Sequence, residues 1–382
     1  MPEKSDQVNK GHSKKSGWDY HLDQIEHSDL FSDSEKREVL EGVTKLRQIF
    51  DDEWLLDAAK THHPLFQYYI SNHVPWTQFW LADFGRALDS IKGTLNSDDL
   101  VKRLKDSKQY SGAKLELQVA WKLKKAGFNI ELCCYTHQKG TKKKPDIKCL
   151  YKNETIYFEV NGLAPSLESQ RAGETFSSLT DFGNYELHQF CQIHKILSKP
   201  HRQELSAQID NAIAEVKRTK EYISIQEPGV IDCLIIHRSK EAELDTILDK
   251  LGMKREISGP PYETYDINRL RRNLRDKSQQ PPTENPGIVV MYWDFYHSGS
   301  DEKFLDKLVY DIEEELYAHD HLIYWIIISS ISELGAQNIS LRKEKYTFIR
   351  KCTGYLCEDI LAIRNKYSKF DIDEEILQVF MG

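Results

Sequence analysis

The chain has 382 residues, 40% hydrophobic and 29% charged, with a formal net charge of −8. That balance belongs to a folded protein with a real core, and it argues against a uniformly basic nucleic-acid coat while leaving room for a local basic groove. The length suits two or three ordinary domains, or one large domain carrying an insertion. No apolar run approaches the ~20 residues needed to cross a bilayer. The first 17 residues, MPEKSDQVNKGHSKKSG, are polar, lack the apolar centre of a signal peptide and read as a disordered tail. Seven cysteines, with Cys133 and Cys134 adjacent, do not resemble a disulfide framework, so a reducing cytoplasm is the expected setting.

From 18 to 105 the pattern is helical. Val39, Val43, Leu46 and Phe50 recur at three- and four-residue spacing, and HHP and NHVP supply turns. WTQFWLADFGRAL is aromatic enough to suggest membrane contact, but it reads better as a helix packed on its neighbours. GAKLELQVAWKLKKAGF continues the helical spacing and stops at Gly127, and NIELCCYT follows as a strand. A polar loop, HQKGTKKK, leads to two strands, PDIKCLY and TIYFEVNG, joined by a hairpin at KNE.

Residues 164–203 have few periodic positions. Within them His188, Cys191 and His194 lie three apart; on a helix that spacing fans the side chains apart, and no CxxC pair exists, so structural metal is not expected there. Residues 204–220 form a helix, GVIDCLIIHR a buried strand, EAELDTILDKLG a helix and RLRRNLRDKSQQ a basic helix. IVVMYWDF and LIYWIIISS are buried strands on either side of the helix DEKFLDKLVYDIEEELY, with a further strand near TFIR before an acidic tail. Helices alternating with buried strands predict a mixed α/β sheet covered on both faces.

The acids at the ends of the hairpin strands carry the chemistry. Residues two apart on a strand share a face, so Glu159 and Asn161 point one way and Val160 the other. Pairing through KNE brings Asp146 close to Glu159. Two converging carboxylates repel, and burial raises their pKa values further; a divalent cation relieves both effects. Glu116 on the preceding helix is a third oxygen donor. Taken alone, Asp146 also reads as a Pro-Asp turn residue and Glu159 as a strand-end charge.

Taken together, Glu116 on its helix, Pro145-Asp146, twelve intervening residues and Glu159-Val160-Asn161 resemble the core of the PD-(D/E)xK nuclease superfamily. The likeness is close over 110–163, and LRDKSQQPPTENPGIVVMYW resembles a later helix-to-strand segment over 268–296. The resemblance implies a restriction-endonuclease-like mixed sheet flanked by helices over 106–382, interrupted by an insertion at 164–265; the helical region 18–105 takes no part in it. It also implies a metal-dependent phosphodiesterase acting on DNA or RNA, with Asp146 and Glu159 as ligands to Mg²⁺ or Mn²⁺ and Glu116 as an accessory acid or third ligand.

The departure from the pattern is Asn161, which stands where the family carries a lysine that positions the attacking water and balances phosphate charge. Lys148, two residues after Asp146, and Lys277, on the helix before the IVVMYW strand, are the candidates for a relocated lysine; Lys144 points to solvent. Lys142, Lys143 and Lys144, and Arg269, Arg271, Arg272, Arg275 and Lys277, could meet a phosphate backbone, although charge runs are usually solvated faces. No Walker-type phosphate loop or nucleophile elbow is present. Three readings stand: a nuclease, an inactive nuclease-like module that binds nucleic acid or protein, and an unrelated α/β protein. A homodimer or a partner protein is compatible with the first two.

Overall fold

A computed structural model describes residues 17–381 except 30, 62, 67–74, 133–135, 139–140, 144, 164–166, 181–185, 261–266, 294–301, 333–336, 354–355 and 373. The chain divides into two compact units, Met1–Leu163 with Ile267–Gly382, and Ala164–Asp266.

The first unit opens with helices α1 (Trp18–Glu26), α2 (Asp33–Ile49), α3 (Asp52–Lys60), α4 (Pro75–Ile91), α5 (Ser97–Lys105) and α6 (Tyr110–Lys125). Ser32 starts α2 with a reciprocal cap: its hydroxyl accepts from the Glu35 N–H, and the Glu35 carboxylate accepts from the Ser32 N–H at 2.8 Å. The predicted stripe Val39, Val43, Leu46 and Phe50 is buried. Gly42 lets α2 touch α4 at backbone distance, since a Cβ there would lie 2.5 Å from the Ala82 carbonyl oxygen. The aromatic stretch of α4 is therefore a core helix. Among the described residues, no helix is long and apolar enough to cross a membrane.

Strands β1 (Asn129–Leu132), β2 (Thr136–Gln138), β3 (Thr141–Lys143), β4 (Ile147–Tyr151) and β5 (Glu154–Gly162) follow. The HQKGTKKK segment, expected as a loop, contains the paired strands β2 and β3; of the lysines expected to line a phosphate, Lys142 and Lys143 lie on β3, while their side chains and all of Lys144 fall outside the described residues. β4 and β5 meet through a two-residue turn at Lys152 and Asn153, whose φ values of 46° and 73° are those of a type I′ hairpin.

The second unit holds α7 (Leu167–Leu179), β6 (Leu187–Ile193), α8 (Lys199–Thr219), β7 (Tyr222–Glu227), β8 (Ile231–His237), α9 (Leu244–Leu251) and β9 (Ile257–Ser258). Its sheet runs β7-β8-β6-β9. Cys191, Cys233 and Ile235 pack on α8 through Leu205, Ile209 and Val216, while Leu234 and Ile236 pack on α9 from the opposite face. His188 and Cys191 thus lie on a strand, not a helix, and at odd spacing they point to opposite faces. His194 pairs with Asp232 at 2.7 Å.

The first unit resumes with α10 (Ile267–Ser278), β10 (Gly287–Tyr292), α11 (Glu302–Tyr317), β11 (Leu322–Ser332), β12 (Ile339–Arg342), β13 (Tyr346–Thr353), β14 (Leu356–Arg364) and α12 (Glu375–Met381). The order β1-β4-β5-β10-β11-β14-β13-β12 makes one mixed sheet in which β5, β10 and β11 are parallel neighbours. The protein is therefore of mixed α/β class. On one face Ile156, Phe158, Val160, Ile288, Val290 and Ile326 share a core with Leu117, Ala120 and Leu123 of α6 and Phe380 of α12. That core extends without a break into Leu46 of α2 and Leu88 of α4, so residues 18–105 fold with the sheet. On the other face α10 is fixed at its last residue, where the Ser278 hydroxyl accepts from Trp325 Nε1 at 3.0 Å.

The structure adds one cross-strand bridge to the cysteine reading. Cys352 and Cys357 stand opposite each other on β13 and β14 and form a disulfide, whereas Cys149, Cys191 and Cys233 are buried free thiols. A hairpin places cross-strand Cβ atoms within bonding reach, which spacing along the chain does not reveal.

Candidate active site

The site begins with the β4–β5 register. Ile147 pairs with Phe158, so Asp146, one residue earlier, stands beside Glu159. Asp146 Oδ2 accepts the Val160 N–H at 2.8 Å, which fixes the aspartate at the edge of β5. Phe158 and Val160 go into the α6 core, and the two-residue period therefore sends Glu159 to the α10 face. Val289 of β10 and Trp325 of β11 continue that row. Glu159 is 2% exposed.

Lys277 answers this buried acid. It sits on the last turn of α10, beside the anchored Ser278, and donates from Nζ to Glu159 Oε1 at 2.5 Å. Glu159 Oε2 is buried with no hydrogen-bond partner. An unmet carboxylate oxygen in that setting costs on the order of 1–3 kcal/mol or more, and it is the kind of oxygen a cation or an ordered water would take. Burial, then the Asp146 charge beside it, push the Glu159 carboxyl up to about 8, against the pull of Lys277; Glu116 adds to the upward push. Lys277 is drawn both ways: burial lowers it, while the Glu159 charge and hydrogen bond leave it raised overall.

Glu116 lies on the expected helix, near enough for its charge to act on Glu159. It is buried on α6, and its Oε2 accepts from Arg103 of α5 at 2.6 Å. Among the described residues, Asp23, Glu26 and His27 form the one three-residue group with ligand atoms within 4.8 Å of one another, at the exposed end of α1. Glu116, Asp146 and Glu159 do not form such a group. Glu116 acts on Glu159 through its charge, while its own carboxylate is engaged by Arg103. Arg103→Ala is expected to leave the buried carboxylate without that guanidinium and to destabilise the protein by on the order of 3 kcal/mol. Denaturant unfolding checks this, with Arg103→Ala/Glu116→Gln recovering most of the loss.

Of the two candidate lysines, Lys277 is the one bonded to the acid. Lys148 shares the Asp146 face, but Glu131, opposite it on β1, holds its Nζ at 3.0 Å. Asn161 also looks to α10: its Nδ2 donates to Asn273 Oδ1 at 3.4 Å. Part of the basic cluster on α10 is internally met, since Arg271 and Arg275 reach Glu315 of α11 at 3.6 and 3.3 Å. Arg103 and Asn273 escaped the sequence reading. Asn273 had a usable signal, being one helical turn before Lys277; Arg103 had none.

The residues present suit a small hard cation. Two carboxylates, one with an unmet oxygen, match the way Mg²⁺ is held by one or two acids and completed by water and phosphate oxygens. No family model matches this chain, and no curated protein matches it.

Proposed function

We propose that this protein is a divalent-cation-dependent nuclease of restriction-endonuclease-like fold. The observation that carries the reading is the buried Glu159, flanked by Asp146 and Lys277, with one oxygen unmet. The mixed sheet, with Asp146 at the entry of β4, Glu159 on the antiparallel β5 and α6 behind them, is of the kind the resemblance in the sequence implies. Asp146 and Glu159 would hold Mg²⁺ or Mn²⁺. When bound, the cation supplies Lewis-acid charge at a phosphoryl oxygen and lowers the pKa of its water. Lys277 reaches the acid from α10 and would meet charge on the phosphate, in place of a lysine at 161. Burial keeps bulk water from screening these charges. DNA or RNA is the substrate this chemistry fits.

A second reading has one observation in its favour. Lys277 already donates to Glu159 directly, as it would in a purely structural contact of an inactive binding module. Two measurements separate the readings: melting with and without Mg²⁺ or Mn²⁺, and cleavage of single- and double-stranded DNA and RNA. Stabilisation by the cation together with cleavage supports the nuclease. Nucleic-acid binding with neither supports the module.

A further inference from the structure

We infer that Asn161 and Asn273 form a brace that aims Lys277 at Glu159, making Asn161 a positioning residue for that lysine. The inference rests on the proposed nuclease reading for its catalytic meaning, but the brace is a geometric claim of its own.

Two rungs join α10 to β5. Lys277 to Glu159 is one, at 2.5 Å, and Asn273 to Asn161 is the other, at 3.4 Å. Four residues on a helix span about 6 Å and two on a strand about 6.6 Å, so both rungs fit the same pair of elements. Asn273 is itself oriented, since its Nδ2 donates to the Arg269 carbonyl at 2.9 Å and leaves Oδ1 to accept from Asn161. The C-terminal end of α10 is fixed elsewhere, at β11, by Trp325 Nε1 on the Ser278 hydroxyl and by His321 Nε2, which lies 3.1 Å from the Ser278 carbonyl oxygen. Buried Leu270 and Leu274 and the Arg271 and Arg275 pairs with Glu315 seat the helix body. The Asn rung adds a fixed point on β5 one turn before Lys277, which limits the swing of that side chain. A lysine at 161 would start on Glu159's own strand and need no such support; a lysine on a separate helix does.

The test labels surface amines in the full-length protein with acetic anhydride and follows Lys277 by peptide mass. Asn161→Ala and Asn273→Ala are each expected to speed acetylation of Lys277 about tenfold, the scale of one lost positioned hydrogen bond. Lys122 of α6, held by Glu358 of β14, serves as the internal reference and should not change. Cleavage is then measured in a double-mutant cycle. Asn273→Ala should lower kcat with little change in KM in the natural background, and add nothing to Lys277→Met. Unchanged Lys277 acetylation in both variants overturns the brace whatever the cleavage result, and so does an Asn273→Ala loss that persists in full beside Lys277→Met. Faster acetylation in a protein that does not cleave keeps the brace and rejects the nuclease reading.

Discussion

Asp146→Ala and Glu159→Ala are each expected to remove divalent-cation-dependent cleavage, a loss of at least about 10³-fold, as when charge stabilisation of a transition state is withdrawn. The reason lies in the pairing of the two strands. Asp146 is held by the Val160 N–H, and Glu159 presents an oxygen with no hydrogen-bond partner, so the two carboxylates are placed to share a cation. Each variant should also lose the cation's effect on melting. A ligand at a hundred times its Kd stabilises the native state by about 2.7 kcal/mol, which a thermal shift reads without any assay of turnover. Glu159→Gln separates the parts: it should remove cation binding while leaving the cation-free protein about as stable as the natural one below pH 8, because the carboxyl is already protonated there and the amide keeps its shape. Cleavage that survives Asp146→Ala would move the site elsewhere.

Lys277→Met is expected to show its effect on stability only at high pH. The Glu159 carboxyl titrates at about 8 in the folded protein and at 4.5 in the ordinary state. The native state thus holds a proton that the unfolded chain has released. Stability from this group is complete below about 4.5, falls as the pH climbs and is lost by about 8. Removing Lys277 takes away the groups that pull this carboxyl down, and its titration moves higher still. The decline then continues beyond pH 8, where the natural protein has levelled off. The two proteins should match at pH 6 and separate above pH 8 by on the order of 3 kcal/mol, the scale for breaking one side of a buried pair. Methionine keeps most of the lysine stem, so lost packing does not imitate the effect. Denaturant unfolding from pH 5 to pH 10 provides the curve. A pH-independent difference would mean that Lys277 acts through packing and not through charge.

How much was legible in the residues varies by element. α2 declares itself because one apolar stripe repeats at helical spacing, and β8, β10 and β11 because short runs rich in Ile, Leu and Val stand out from their polar flanks. β6 and β14 were not seen. His, Gln and Cys interrupt LHQFCQI, and LCEDILAIR carries two acids, one of which, Asp359, is buried against Arg350 of β13 with both oxygens held at 2.7 Å. A charge neutralised across a sheet looks in sequence like a charge in water. The acidic end of the chain likewise hid α12, whose Phe380 reaches the Phe158 ring.

The same division runs through the site. The alternation Phe158, Glu159, Val160 and the hairpin at 152–153 determined by themselves that Asp146 and Glu159 would meet on one face, because register and period are local properties. Which lysine reaches them was not local. Lys148 is adjacent in sequence but has Glu131 across the β1–β4 pairing, while Lys277 arrives from 118 residues away on a helix anchored by Trp325. The assignment of Glu116 to Arg103, and of Asn161 to Asn273, was decided in the same way. An ion pair needs only proximity of its ends, and the chain between them carries no record of it; the packing of α10 and α5 against the rest of the fold alone sets that distance.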